Sequence, residues 1–239
     1  MNIKVGILGL GYVGLPLAIS LQKHFNVSAY DTDNTKIDEL KKSFDRNYQF
    51  SRKILKNAKK INFYNDINEL KKCNIYIIAV PTPVNKSNLP DLSILKKATI
   101  DVSKILSKNN TIIYESTVYP GVTEDICIPI IEKKTKLKLN NDFFCGYSPE
   151  RINPGDKKRT IENIIKITSG SNKKTLNLID KIYKKISKVG TYKAESIKIA
   201  EAAKVIENAQ RDINIAFINE IKIIFDKVNI DVNRVLKAA

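Results

Sequence analysis

The sequence predicts an α/β fold in which helices cover both faces of a doubly wound, mainly parallel sheet, followed by one long central helix. Short apolar runs alternate with amphipathic segments from the start of the chain to about residue 192, as in a sheet whose strands are joined by helices. From Glu195 to about Val228, apolar residues then recur at helical spacing without a break. We therefore expect residues 1–194 to form one domain and residues 195–239 to begin a second.

Each predicted strand of the first domain is a short apolar or β-branched run, as expected where a parallel sheet is covered on both faces. These strands cover residues 3–8, 27–31, 61–64, 75–80, 111–114, 143–146, 164–168 and 190–192. Helices are predicted between them at residues 15–23, 34–42, 66–72, 92–106 and 123–134, and residues 43–60 are polar with a weak helical pattern. Asp91 and Asp231 are suitable N-caps, the first for the helix at 92–106 and the second for a short helix after the long one.

The first strand leads directly into the segment G-L-G-Y-V-G at residues 9–14, a pattern typical of the dinucleotide-binding turn of Rossmann-type domains. Gly9 permits the tight turn, Gly11 lets the backbone approach a pyrophosphate, and Gly14 lets the following helix pack close to the sheet. The N-terminus of that helix offers free N–H groups and the positive end of its dipole to phosphates. The glycine pattern with its flanking strand and helix therefore predicts a dinucleotide site, in preference to a tight turn that binds nothing.

Asp31 ends the second predicted strand, seventeen residues after Gly14. A carboxylate at this position accepts hydrogen bonds from a ribose 2′-hydroxyl and repels a 2′-phosphate, so the expected cofactor is NAD and not NADP. Lys36, five residues further along, either reaches the adenosine side of the cofactor or is an ordinary solvated lysine.

The composition is that of a globular protein, with 43% hydrophobic and 28% charged residues among 239. No apolar run has membrane-spanning length and the first residues form a strand, so we expect a cytoplasmic protein without a membrane partner. The net charge of +16 comes mainly from lysines spread over every predicted helix, so we expect no nucleic-acid partner. Cys73, Cys127 and Cys145 are widely spaced, which indicates neither a disulfide framework nor a metal site.

Three further motifs lie where predicted strands end, which is where open α/β sheets bind their ligands. The segment V-P-T-P at residues 80–83 carries Thr82, and the segment E-S-T-V-Y-P-G at residues 115–121 carries Thr117. The third, G-Y-S-P-E-R-I-N-P-G at residues 146–155, is rich in turn formers. We expect its Glu150 and Arg151 to face a ligand and not the core.

A fourth motif lies on the long helix, where Lys204 and Asn208 are four residues apart and therefore share a face. Such a pair on a lysine-rich helix is usually solvated, but the neighbouring Ala200, Ala203 and Ile206 are apolar, which favours a functional pair. A cation and an amide donor side by side stabilise a developing oxyanion.

Taken together, these motifs resemble those of the UDP-glucose/GDP-mannose dehydrogenase family, and the resemblance covers essentially the whole chain. In order, they are G-x-G-Y-V-G, V-P-T-P, S-T-V-x-P-G, S-P-E-R-x-N-P-G and E-A-A-K-x-x-x-N. Pro154 stands where the UDP-glucose branch typically carries a glutamate. The sequence therefore looks most like the branch that oxidises UDP-N-acetylhexosamines, and the water-activating base is unassigned.

The resemblance implies a four-electron oxidation of UDP-GlcNAc or UDP-GalNAc for surface polysaccharide synthesis. The sugar C6 alcohol loses two hydrides in turn to NAD⁺, and a cysteine thioester is hydrolysed to a uronic acid. The candidate catalytic residues are Lys204, Asn208, Glu150 and Thr117. The implied NAD-binding residues are Gly9, Gly11, Tyr12, Val13, Gly14, Asp31, Lys36, Thr82 and Thr117. Candidate contacts with the UDP-sugar substrate are Glu150, Arg151, Lys204, Asn208 and Arg211, and a homodimer through the central helix is expected.

The family's nucleophilic cysteine lies in a glycine-rich loop beyond the central helix, and none of the three cysteines here replaces it. We therefore expect this chain to be the NAD-binding part of a longer enzyme, able to bind NAD but not to complete the oxidation. Two alternatives stay open. A β-hydroxyacid dehydrogenase also has a Rossmann domain and a Lys/Asn pair on a long helix, and a non-catalytic nucleotide-binding or dimerisation module needs no cysteine.

Overall fold

The computed structural model describes residues 2–150 and 161–239. Its main sheet contains the strands β1 (Lys4–Leu8), β2 (Asn26–Tyr30), β3 (Ile61–Tyr64), β4 (Ile75–Ile78), β5 (Thr111–Tyr114) and β6 (Phe144–Tyr147). All of their pairings are parallel, in the order β3-β2-β1-β4-β5-β6. The order reverses between β1 and β4, and the carboxyl ends of the strands open a crevice at such a reversal.

The helices follow the strands in the predicted alternation. They are α1 (Gly14–Leu21), α2 (Asn34–Lys41), α3 (Arg52–Asn57), α4 (Ser93–Ser103), α5 (Ile128–Thr135), α6 (Lys173–Tyr183), α7 (Ile197–Lys227) and α8 (Val232–Ala238). Of the helices in the two described ranges, none has the length and apolarity that crossing a bilayer requires.

The sheet has an apolar layer on each face, which confirms the doubly wound architecture. In β4, Ile75 and Ile77 belong to one buried cluster, whereas Tyr76 and Ile78 belong to the other. This alternation follows from the period of two along a strand. The first cluster includes apolar residues of α1, α2 and α6, and the second includes residues of α4, α5 and the start of α7.

Several segments differ in detail from the sequence prediction. Helix α6 was not predicted, and the helix predicted at residues 66–72 is a short 3₁₀ helix, Ile67–Leu70. The last two predicted strands, observed as β7 (Lys166–Thr168) and β8 (Thr191–Lys193), pair in parallel with each other in a separate two-stranded sheet. The predicted helix at 123–134 begins as a π-helix, Val122–Cys127, and becomes α5 only at Ile128. At the start of this π-helix, the Glu201 carboxylate of α7 accepts hydrogen bonds from Gly121 N–H at 2.6 Å and Thr123 N–H at 2.9 Å.

The long helix α7 belongs to the core at one end and is exposed at the other. Ser196 caps its N-terminus by accepting a hydrogen bond from the N–H of Ile199, and Ile197 and Ala200 are buried. Further along, Phe217 is 60% exposed and Ile213 is 66% exposed. The helix therefore extends an apolar surface away from the sheet.

Candidate active site

A cavity of about 680 Å³ lies at the carboxyl ends of the central strands. It is lined by the glycine loop after β1, residues 30–33 after β2, residues 79–82 after β4 and residues 115–117 after β5. Its volume lies within the range of small-molecule and cofactor sites. Nine of the predicted site residues line it: Gly9, Gly11, Tyr12, Val13, Asp31, Lys36, Thr82, Thr117 and Glu150.

Each of the three glycines of the loop is needed for a different structural reason. Gly9 has φ +92°, and a Cβ there would lie 2.8 Å from the carbonyl oxygen of Ala79. A Cβ on Gly14 would lie 1.8 Å from the carbonyl oxygen of Gly9, so α1 packs against the loop only because this residue lacks a side chain. A Cβ on Gly11 would meet no atom within 4 Å. Gly11 therefore keeps space open at the N-terminal end of α1, as a bound pyrophosphate requires.

Asp31 is buried at the end of β2 and has its carboxylate held on both oxygens. Oδ2 accepts hydrogen bonds from Leu10 N–H at 2.9 Å and from Lys36 Nζ at 2.7 Å. Oδ1 accepts from the N–H of Asp33 at 3.0 Å. The carboxylate therefore ties the glycine loop to β2, and Lys36 is its partner and not a freely solvated lysine.

Hydroxyl groups join the loops that follow β4 and β5. The Ser116 hydroxyl donates to the carbonyl of Val80 at 2.6 Å, and the Thr82 hydroxyl donates to the carbonyl of Thr117 at 2.6 Å. The two loops are thus fixed against each other on the cavity wall. Thr82 and Thr117 still line the cavity, as the sequence predicts.

Glu115 and Glu150 line the cavity and belong to a cluster of buried charges. Lys166 of β7 is 1% exposed, and its Nζ lies 2.6 Å from Glu115 Oε2 and 3.1 Å from Glu150 Oε2. The same ammonium donates to the carbonyl oxygens of Pro149 at 2.9 Å and Ser148 at 3.3 Å.

Tyr183 of α6 completes this cluster by donating its hydroxyl to Glu115 Oε1, and its ring centroid lies 5.2 Å from Lys166 Nζ. Burial raises the pKa of Glu115 to about 7, although Lys166 and Tyr183 oppose the shift. Burial alone would lower the pKa of Lys166, but attraction to Glu115 and Glu150 outweighs it and raises that pKa.

The candidate residues on α7 meet the cavity wall through Lys204. Its Nζ donates to the backbone carbonyl of Glu150 and lies 3.2 Å from Glu207 Oε2. Burial lowers the pKa of Lys204, and the attraction of Glu207 only partly offsets it. Arg211 pairs with Glu207 and donates to Asn208 Oδ1 at 2.7 Å.

The structure thus joins the glycine loop, Asp31 and the strand-end motifs in one cavity, with Lys204 in contact with Glu150. Asn208 and Arg211 lie next to Lys204 on α7 and contact each other. Gly14 lies behind the loop, as the first residue of α1. The prediction for Arg151 lies outside the described residues.

Sequence reasoning did not single out Glu115, Lys166, Tyr183 or Glu207. Only a weak signal pointed to the first two, since a single charge adjoins or interrupts an apolar strand in T-I-I-Y-E and I-I-K-I-T.

The three cysteines are all buried. Cys73 follows the 3₁₀ helix Ile67–Leu70, Cys127 ends the π-helix and Cys145 lies in β6. Burial raises the pKa of each thiol, that of Cys145 well above its usual value. None is among the described residues that line the cavity. Since the thiolate is the reactive form, these cysteines are poor nucleophiles.

Comparison with family models matches two consecutive parts of the chain. Residues 3–187 match the NAD binding domain of the UDP-glucose/GDP-mannose dehydrogenase family, and residues 198–239 match the central domain of the same family.

Individual relatives agree with this match. The chain is 52% identical over 238 residues to UDP-N-acetyl-D-glucosamine 6-dehydrogenase of Salmonella typhi, and 48% identical over 239 residues to Protein CapL of Staphylococcus aureus. Each alignment covers 100% of this chain and 56% of the relative, so the chain spans about half the length of the curated relatives it matches. Among solved structures, that of the UDP-D-ManNAc dehydrogenase of Pyrococcus horikoshii aligns with a TM-score of 0.89 at 29% identity, covering 99% of this chain and 57% of that one.

Proposed function

Because this chain belongs to the UDP-glucose/GDP-mannose dehydrogenase family, we propose that it supplies the NAD-binding part of a nucleotide-sugar 6-dehydrogenase. The proposed substrate is a UDP-N-acetylhexosamine, UDP-GlcNAc or UDP-GalNAc, oxidised at C6 by four electrons to the uronic acid for a surface polysaccharide. The named relatives support the class of substrate, since the Salmonella typhi protein is a UDP-N-acetyl-D-glucosamine 6-dehydrogenase.

The residues of the cavity fit NAD. The open space at Gly11 and the N-terminus of α1 suit the pyrophosphate, with Gly9, Tyr12, Val13 and Gly14 forming the turn around it. Asp31 would accept hydrogen bonds from the adenosine ribose, with Lys36 holding its carboxylate in place. Thr82 and Thr117 lie on the opposite wall of the same cavity. When bound there, NAD⁺ supplies the hydride acceptor.

The catalytic roles are assigned to residues at the far side of the cavity. Glu150 lines the cavity and would orient the sugar C6, together with Arg151. Lys204 contacts the Glu150 backbone, and its lowered pKa favours proton exchange with a substrate oxygen. Asn208 and Arg211 lie beside it and would contact the oxyanion and the substrate. The observation that carries the proposal is this junction of the glycine loop, Asp31 and Glu150 in one cavity.

The proposed activity needs a nucleophilic cysteine that this chain does not supply, because its three thiols are buried and poorly suited to form the thioester intermediate. We further propose that α7 mediates a homodimer, since the apolar residues of its second half are exposed. The cytoplasmic location expected from the sequence remains a prediction.

The test is the number of NADH molecules formed per sugar by the complete gene product, with this 239-residue chain assayed in parallel. The panel contains UDP-GlcNAc, UDP-GalNAc, UDP-ManNAc and UDP-glucose. We expect two NADH per UDP-N-acetylhexosamine from the complete product and none from the chain, which should nevertheless bind NAD in a calorimeter.

Other outcomes would overturn specific parts of the proposal. One NADH per substrate would favour the β-hydroxyacid dehydrogenase class, and uronic acid formed steadily by the 239-residue chain would contradict its assignment as a partial enzyme. A chain that binds no NAD would contradict the roles assigned to the glycine loop and Asp31.

A further inference from the structure

The charge cluster that includes Glu150 contains two carboxylates and one ammonium, and all three groups are buried. Glu115 comes from the end of β5, Glu150 from the segment after β6 and Lys166 from β7. A buried charge is costly unless it is paired, and here one cation must serve two anions. Formally, one negative charge is left over in the wall of the cavity.

Lys166 fixes the Glu150 segment as well as its side chain. The ammonium donates to the carbonyl oxygens of Ser148 and Pro149 and to Glu150 Oε2. With Oε2 held in this way, Glu150 Oε1 is left without a hydrogen-bond partner among the residues that the structure describes. Because a buried oxygen without a partner is unfavourable, Oε1 is suited to accept a hydrogen bond from a bound ligand.

We propose that Lys166 and Glu115 are positioning residues, which together fix the orientation of the Glu150 carboxylate at the cavity wall. This inference rests on the proposed function, in which Glu150 contacts the sugar. Lys166 holds the carboxylate in place. Glu115 shares the same ammonium, so the ionisation of Glu115 sets how strongly Lys166 is held to Glu150.

The charged and titratable groups around the cluster predict different effects for two conservative substitutions. Glu115 faces Lys166, Glu150 and the Tyr183 hydroxyl, and Glu150 also faces Lys204. Glu115→Gln removes the carboxyl whose pKa is raised to about 7, so proton uptake by the cluster near that pH should be lost. Tyr183→Phe removes a hydrogen bond that favours the ionised form of Glu115, so proton uptake should move to higher pH.

The first arm of the test measures the cluster without any assay of activity. Glutamate carboxyl groups of the 239-residue chain are labelled with ¹³C and titrated by NMR. We expect one carboxyl to titrate near pH 7 in the unsubstituted chain, to be lost in Glu115→Gln and to move upward in Tyr183→Phe. Lys184→Met is the matched control, because this lysine of the loop after α6 is 55% exposed and pairs only with Asp180 among the described residues.

The second arm measures kcat against pH for the complete gene product, with a UDP-N-acetylhexosamine as substrate. We expect an inflection near pH 7 that is lost in Glu115→Gln, moves up in Tyr183→Phe and stays unchanged in Lys184→Met. An inflection that stays near pH 7 in Glu115→Gln, or that does not move up in Tyr183→Phe, would overturn the inference.

The two arms separate this inference from the proposed function. If the unsubstituted product forms no NADH with any sugar of the panel, the proposed function fails, and the NMR arm still decides whether Glu115 and Glu150 share one ammonium. A glutamate titration that is the same in Glu115→Gln as in the unsubstituted chain would then overturn the coupling itself.

Discussion

The two sides of the cavity depend on different kinds of interaction. On the β1–β2 side, backbone geometry dominates: Gly9 and Gly14 fit where a Cβ would collide, and Asp31 accepts hydrogen bonds from backbone N–H groups. On the β5–β6 side, the wall depends on charged side chains such as Glu115 and Lys166, which come from separate elements and meet in the interior. The glycine loop and Asp31 of the first side lie within 31 consecutive residues, whereas the charged groups of the second come together only when the domain has folded.

This difference predicts how each side responds to substitution. Substitutions on the β1–β2 side should act by altering steric fit and the affinity for the cofactor. Changes on the charged side should act first through the free energy of unfolding, because a buried charge that loses its partner is strongly destabilising. Four sets of substitutions test this contrast.

Loss of the central cation should have the largest effect. Lys166→Met leaves Glu115 and Glu150 buried without a counter-ion, and we expect it to lower the free energy of unfolding by about 3–5 kcal/mol. Urea denaturation followed by circular dichroism measures this change. Lys184→Met is the control, because Lys184 is 55% exposed and its pair with Asp180 should contribute at most about 1 kcal/mol. Equal losses of unfolding free energy in the two variants would show that the buried cluster stabilises the fold no more than the Lys184–Asp180 pair does.

Two glycine substitutions should separate packing from binding. Gly14→Ala brings a Cβ against the carbonyl oxygen of Gly9, so it should destabilise the fold by about 1–3 kcal/mol. Gly11→Ala meets open space, so it should unfold like the unsubstituted chain but bind NAD at least about tenfold more weakly, a difference of about 1.4 kcal/mol. Urea denaturation and calorimetric NAD titration give the two quantities. A Gly11→Ala chain that binds NAD normally would contradict the pyrophosphate site.

The same contrast explains what the sequence could predict. The glycine loop, its strand and Asp31 lie within 31 consecutive residues, and each has a conformational or packing requirement that shows in the residue type. The parallel sheet was likewise predictable, since its apolar strands alternate regularly with helices. These features follow from local rules that hold in any protein of this architecture.

The charged wall could not be predicted in the same way. Glu115 and Lys166 are 51 residues apart, and only tertiary packing shows that they pair. Tyr183 lies on α6, a helix that the sequence analysis did not identify. The separate pairing of β7 with β8 was also missed, because pattern alone does not say which sheet a three-residue strand joins.

Asp31 offers a sharper test of the cofactor side, with a smaller expected effect. Asp31→Asn keeps the shape of the side chain but removes the charge and one acceptor, which weakens its hold on Leu10 N–H and Lys36. We expect NAD to bind about tenfold more weakly, or about 1.4 kcal/mol, and the preference for NAD over NADP to narrow. Calorimetric titration with both cofactors measures this, with the exposed Asp38→Asn as the control. An unchanged preference would mean that Asp31 only fixes the loop.

The smallest effect should come from a charge pair on the charged side that is not buried. Lys198 of α7 lies 3.2 Å from Asp125, and their side chains are 52% and 63% exposed. Solvent screening makes such pairs weak, so Lys198→Ala should change the free energy of unfolding by no more than about 0.5 kcal/mol. By contrast, α7 is held nearby by the buried carboxylate of Glu201, which accepts two backbone hydrogen bonds. A loss above about 1 kcal/mol in urea denaturation of Lys198→Ala would show that surface pairs also anchor α7. Burial would then not explain why the pair of Glu115 and Lys166 stabilises the fold more than an exposed pair does.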